Sequence, residues 1–140
     1  MAVLYTTRAT AFNGREGRVA TEDGALALQL SRPREMGGSG IPGTNPEQLF
    51  AAGYAGCFGA TLQALARARK ITLERNEVTA EVGLVKRDEG GFVLSATLDI
   101  ILSAISHEDA AALVEEAHRV CPYSNSIKAT IDVQIRYQLA

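Results

Sequence analysis

From Gln48 to Ala66 the chain carries no charged side chain, and no other stretch restricts its fold as strongly. A run of that length meets the length requirement of a membrane span. Its makeup points elsewhere. Ala and Gly dominate, Gln48, Thr61 and Gln63 interrupt it, and the Leu, Ile, Val and Phe that favour insertion are sparse. The run reads as a central helix buried on nearly every side, and no membrane insertion is expected. Thr44-Asn45-Pro46-Glu47 supplies its start: Asn45 or Thr44 can cap it, Pro46 suits the first turn, and Glu47 suits the positive end of the helix dipole. The helix is expected to continue to about Lys70.

The flanking segments alternate in the manner of strands. Val3–Phe12 reads as a strand, Asn13-Gly14 as a turn that delivers Arg15 at the mouth of a hairpin, and about Gly17–Thr21 as the returning strand. Leu26, Leu28 and Leu30 mark a third strand. Residues 32–45, with Pro33, Pro42 and four glycines, form a loop of the length that usually carries function. Beyond the helix, Val78–Leu84 and Leu94–Leu102 alternate about Asp88-Glu-Gly-Gly91, giving a second hairpin. Ser106 with Asp109 opens an amphipathic helix over residues 107–120, and Pro122 places Cys121 at or just past its end. Ile131 to Leu139 closes the chain as a strand. Strands grouped around two helices predict an α+β fold, one domain over residues 1–140.

A net charge of −2 gives no electrostatic case for nucleic acid or an anionic membrane. The first residues lack a basic segment followed by an apolar stretch and a cleavage site, so a cytoplasmic location is expected. In that reducing compartment a permanent disulfide is disfavoured, which leaves the two cysteines as buried thiols, metal ligands or a transient redox pair. His118 with Cys121 is a single weak ligand pair and no Cys-x-x-Cys is present, so no metal or cofactor is expected. Both histidines read as surface residues of the amphipathic helix.

Cys57 on its own reads as a small buried hydrophobe, and burial raises a thiol's pKa and makes it inert. It lies eleven residues beyond Pro46, about 16 Å along a straight helix, too far for the helix N-terminus to help. If it reacts, a cation from elsewhere stabilises its thiolate. Arg15, Arg119 and Lys128 are all candidates by composition, and sequence spacing does not choose among them.

The strings Gly14-Arg15-x-Gly17, Gly43-Thr-Asn-Pro-Glu47-Gln-Leu-Phe-Ala-Ala-Gly-Tyr54, Cys57-Phe58 and Ala117-His-Arg-Val-Cys121-Pro-Tyr-Ser-Asn125 together resemble the organic hydroperoxide resistance (Ohr) family, the sister of the OsmC-type branch. They stand in that family's order, and the resemblance covers essentially the whole chain. It departs at Gly56, where the family often has alanine, and at Ser126-Ile-Lys128.

The resemblance implies an OsmC/Ohr-like fold, antiparallel sheets around a long central helix in an intertwined homodimer. It implies a thiol-dependent peroxidase acting on organic and fatty-acid hydroperoxides, recycled by lipoylated proteins and lipoamide dehydrogenase or by dihydrolipoamide. Cys57 would be the peroxidatic cysteine, Cys121 the resolving one, Arg15 the activator of the thiolate and Glu47 the holder of the guanidinium. Without the resemblance, Glu47 reads as nothing more than a helix-start residue favoured by the dipole. The alternative is a non-catalytic binder of apolar molecules, or an oxidation sensor, using the same interior.

Helix geometry adds one expectation. Glu47 lies ten residues before Cys57, about 15 Å along an unbroken helix, so it can hardly serve the thiol of its own helix. Either the helix breaks near Gly53 or the active site is shared: if two such helices cross antiparallel about a two-fold axis near Ala52-Gly53, with Gly56 also permitting a close approach, each Glu47, with Arg15 paired to it, lands beside the other subunit's Cys57.

Overall fold

The computed structural model describes residues 1–140. The chain falls into two compact units, Met1–Leu49 and Phe50–Ala140.

The first unit is a three-stranded antiparallel sheet of β1 (Ala9–Phe12), β2 (Arg18–Thr21) and β3 (Ala27–Gln29), in that order. Asn13 and Gly14 both take positive φ, 60° and 54°, as the turn signal requires, and a single 3-10 turn over Gly14–Glu16 follows. Arg18 then returns opposite Phe12 with its guanidinium over the ring. The strand expected over Val3–Phe12 is realised only from Ala9. The reason is its partner: β2 ends at Thr21, where the Thr21 hydroxyl and the Ala25 N–H both donate to Asp23 and bend the chain away. The last pairing bond runs from the Glu22 N–H to the Arg8 carbonyl, and residues 1–8 have no partner strand. The loop at 32–45 is closed at its base, where Thr44 exchanges backbone hydrogen bonds with Gln29 and Ser31.

The long helix α1 spans Pro46–Ala68. Asn45 caps it, its side-chain oxygen accepting from the Gln48 N–H at 2.9 Å. Tyr54, Phe58, Leu62 and Ala66, spaced by four, form one fully buried stripe. The stripe meets β5 (Phe92–Ser103), which points Ala96, Leu98, Ile100 and Leu102 inward, and α2 (His107–Val120), which contributes Ala110, Leu113, Val114 and Ala117 to the same core. Each large side chain buried there contributes about 1.5–3 kcal/mol, so tertiary burial rather than helix propensity holds the glycine-rich α1 in place.

β5 is the middle strand of a second sheet, antiparallel to β4 (Arg75–Lys86) and parallel to β6 (Val133–Leu139). The parallel pairing follows from connectivity: α2 and a short α3 (Pro122–Ile127) carry the chain back before β6 starts. Within the single chain α1 is not buried on every side as its composition predicts. The sheet and α2 cover one face only, and Ala52, Gly56, Ala60 and Ala64 stay exposed along the other.

Candidate active site

The second unit brings the two thiols together. Cys57 lies one turn after Tyr54 on α1, partly exposed. Cys121 is the single residue between α2 and α3; its extended backbone (φ −58°, ψ 127°) is the geometry that the following proline imposes. The two sulfurs lie 3.5 Å apart with the Cys121 thiol directed at Cys57. A disulfide bond is about 2.05 Å long, so the thiols are in contact and unbonded. Cys121 is wholly buried, 0% exposed, whereas Cys57 keeps part of its surface exposed.

Within this unit the electrostatics oppose ionisation. Burial pushes the Cys57 thiol above its ordinary value, the Tyr123 backbone N–H acts the other way, and the neighbouring Cys121 adds to the rise. No cation offsets the burial here. Arg119 is spent on Glu116 at 3.2 Å on an exposed surface, and Lys128 makes itself felt on His118 rather than on the thiol.

A buried polar chain runs beside the sulfurs. The Tyr54 hydroxyl lies 2.7 Å from Ser124 Oγ, and Ser124 Oγ lies 3.0 Å from His118 Nδ1. Tyr54 and Ser124 are both 0% exposed. Burial pushes the Tyr54 phenol up and the His118 imidazole down, the latter with help from Lys128, so both sit in their neutral forms near pH 7. The Tyr123 ring stacks on Tyr54 with centroids 5.8 Å apart, and Phe50 packs against both. Gly53 makes room for that ring: a Cβ there would sit 2.5 Å from the Tyr123 hydroxyl. His118 is therefore not the surface residue that the helix pattern predicts, whereas His107 is exposed.

In the first unit Arg15 and Glu47 form a two-pronged ion pair, with guanidinium nitrogens at 2.9 and 2.6 Å from the two carboxylate oxygens. The 3-10 turn after Asn13 presents Arg15, and the first turn of α1 presents Glu47. Their side chains are 28% and 15% exposed. The hydrogen bonds from Arg15 hold the Glu47 carboxyl below the usual carboxylate range against the opposing effect of burial, and Glu47 in turn raises the Arg15 guanidinium.

Of the residues singled out from sequence, the structure thus pairs Cys57 with Cys121 and Arg15 with Glu47. Sequence reasoning missed Tyr54, Tyr123, Ser124 and the role of Gly53. A signal existed: Tyr54 stands three residues before Cys57 and Ser124 three after Cys121, one helical turn in each case. It was hidden because α3 is only six residues long, too short to show a helical period after the first-turn Pro122. No three or more His, Cys, Asp or Glu side chains cluster as a metal site would need.

The OsmC-like protein family matches residues 37–136. An organic hydroperoxide resistance protein from Xanthomonas axonopodis pv. citri is 46% identical over 134 residues, 95% of this chain and 94% of the relative. The solved structure of an organic hydroperoxide resistance protein from Legionella pneumophila superposes with a TM-score of 0.93 at 47% identity, covering 98% of this chain and 99% of that one. A Vibrio cholerae protein solved with captopril bound in one of its active sites gives a TM-score of 0.92 at 50% identity, covering 98% and 94%.

Proposed function

Because this chain belongs to the organic hydroperoxide resistance branch of the OsmC-like family, we propose that it acts in organic hydroperoxide resistance as a thiol-dependent peroxidase. The observation that carries the reading is the contact of two free thiols at 3.5 Å, one partly exposed and one wholly buried. A passive apolar pocket has no need of such a pair.

The Cys57 thiolate attacks one peroxide oxygen, the O–O bond breaks, and the other oxygen leaves as an alkoxide that takes a proton to become the alcohol. Cys57 is left as a sulfenic acid. The Cys121 thiol attacks that sulfur, expelling hydroxide, which leaves with the thiol's proton as water; a Cys57–Cys121 disulfide remains. A dithiol such as dihydrolipoamide or a lipoylated protein restores both thiols and is itself oxidised to a disulfide. Captopril is itself a thiol, and its place in an active site of the Vibrio relative supports the entry of thiols into such a site.

The first step needs a positive partner for Cys57, because burial alone raises its pKa. Arg119 and Lys128 do not supply one, which leaves Arg15. A guanidinium stays charged, can donate to both sulfur and peroxide oxygen, and is held in one plane by Glu47. The proposal assigns Arg15 and Glu47 of one subunit to the thiols of the other in a homodimer built on the exposed small-residue face of α1. A reducing cytoplasm suits the cycle.

Turnover of cumene hydroperoxide with dihydrolipoamide tests the reading. Wild-type protein is expected to turn over and Cys57→Ser to be inactive, since a serine hydroxyl is a poor nucleophile at neutral pH. Turnover by Cys57→Ser, or none by the wild type, would sink it.

A further inference from the structure

We propose that Tyr54, Ser124 and His118 are positioning residues for closure of the Cys57–Cys121 disulfide: their hydrogen-bonded chain fixes α3 against α1 and so sets the contact of the two sulfurs. This deepens the peroxidase reading and rests on it.

The chain links all three elements that carry the thiols. Tyr54 is on α1, three residues before Cys57. Ser124 is on α3, three residues after Cys121, and His118 is on α2, three residues before it. Two bonds, 2.7 and 3.0 Å, therefore tie the helices one turn from the reacting sulfurs. The side-chain inventory closes without a gap. With His118 unprotonated at Nδ1, Tyr54 donates to Ser124 and Ser124 donates to His118.

Apolar packing does not enforce such a registry. Phe50, Tyr54 and Tyr123 pack as rings with broad contact surfaces, which tolerate small slides, whereas a hydroxyl pair at 2.7 Å inside the core does not. The Tyr54 hydroxyl has Ser124 as its one partner, so a slide would leave it buried and unpaired, while Ser124 would keep only its bond to His118. Disulfide closure is sensitive to displacements of that size, because it needs a Cβ–S–S–Cβ torsion near ±90° and a Cβ–Cβ distance of about 3.5–4.5 Å. A misplacement of about 1 Å can cost about 10²-fold in an oriented reaction.

The test separates closure from peroxide chemistry. Closure is followed in rapid mixing after one equivalent of cumene hydroperoxide. It is followed again with a diazene dicarboxamide oxidant, which is reduced to its hydrazine as the two thiols lose their hydrogens. The disulfide's potential is measured in dithiol redox buffers. Tyr54→Phe keeps the ring and removes one hydroxyl; it is expected to slow closure by about tenfold or more with both oxidants. If reopening is unaffected, each tenfold loss raises the potential by about 30 mV. Ser124→Ala should match it, and the double variant should be no slower than the slower single one, since the residues act as one unit. At the half-buried end, His118→Asn keeps an acceptor and should close near the wild-type rate, while His118→Leu should behave like Tyr54→Phe.

Wild-type closure and an unchanged potential in Tyr54→Phe would overturn the inference, even if its melting temperature fell. A wild-type protein that closes with the diazene but not with peroxide would instead overturn the peroxidase reading, and the diazene and potential measurements would still decide the positioning role.

Discussion

Replacing Cys121 with serine should turn a fleeting sulfenic acid at Cys57 into a persistent one, and the size of the effect follows from the sulfur geometry. The sulfurs stand 3.5 Å apart and a disulfide needs about 2.05 Å, so closure requires about 1.5 Å of approach from a pair already at the separation of a near-attack arrangement. Well-oriented intramolecular reactions reach effective molarities of about 10⁵ M and above. Even at about 10 M, four orders lower, Cys121 would outcompete an external thiol at about 1 mM by about 10⁴. With that thiol present, the sulfenic acid of Cys121→Ser should therefore last about 10⁴ times longer than that of the wild type. One equivalent of hydroperoxide followed by intact-mass analysis reads this directly: the variant gains one oxygen atom, whereas the wild type loses two hydrogens. Cys121 is 0% exposed, so a serine hydroxyl there is buried, and a thermal melt alongside Cys121→Ala controls for the fold. A sulfenic acid in Cys121→Ser that decays within tenfold of the wild-type rate, or a variant that cycles normally with a dithiol, would refute the assignment of Cys121 as the resolving thiol.

The wholly buried Cys121 sulfur also predicts where the reductant attacks. A monothiol added to the oxidised protein and quenched by alkylation should be found joined to Cys57 with Cys121 alkylated; an adduct on Cys121 contradicts this. Removing Arg15 should raise the Cys57 pKa and Arg15→Lys should restore activity only in part, read from the pH dependence of alkylation in a Cys121→Ser background; an unchanged titration shifts the role to another cation. Random mixing of Cys57→Ser with Arg15→Ala subunits makes half the dimers mixed, each with one intact site if the subunits share sites, so about a quarter of wild-type activity is expected from two inactive parents. A verified but inactive mixed dimer, or a folded monomer stable at micromolar concentration in sedimentation, counts against that arrangement. Finally, Glu47 is held below its ordinary pKa, so its ion pair stabilises the fold above the unfolded carboxyl's pKa and loses that contribution as pH falls through the lower folded value. The stability gap between wild type and Glu47→Gln, on the order of 1–3 kcal/mol at neutral pH, should close in acid; a gap independent of pH would show that the carboxylate's charge is not the cause.

What the sequence determined is local or periodic. The cap at Asn45, the serine cap of α2, the Asn13-Gly14 turn and the alternation of β4 and β5 are each written within a few residues, and each stands where its pattern puts it. The motif strings also placed the thiols, because their wording is specific beyond any need of the fold. Long-range packing decided the remainder. Nothing near Val3 shows that β2 stops at Thr21, and nothing in α1 shows which of its apolar faces the sheet will cover. The helix that follows Cys121 is too short, at six residues, to leave a periodic pattern, and only that helix turns Ser124 inward to meet Tyr54, seventy residues earlier in the chain. A hydrogen bond between residues so far apart leaves no periodic trace in the sequence. Propensity and pattern act over one or two turns, whereas the partner of a buried hydroxyl is chosen by whichever group the whole fold delivers within about 3 Å.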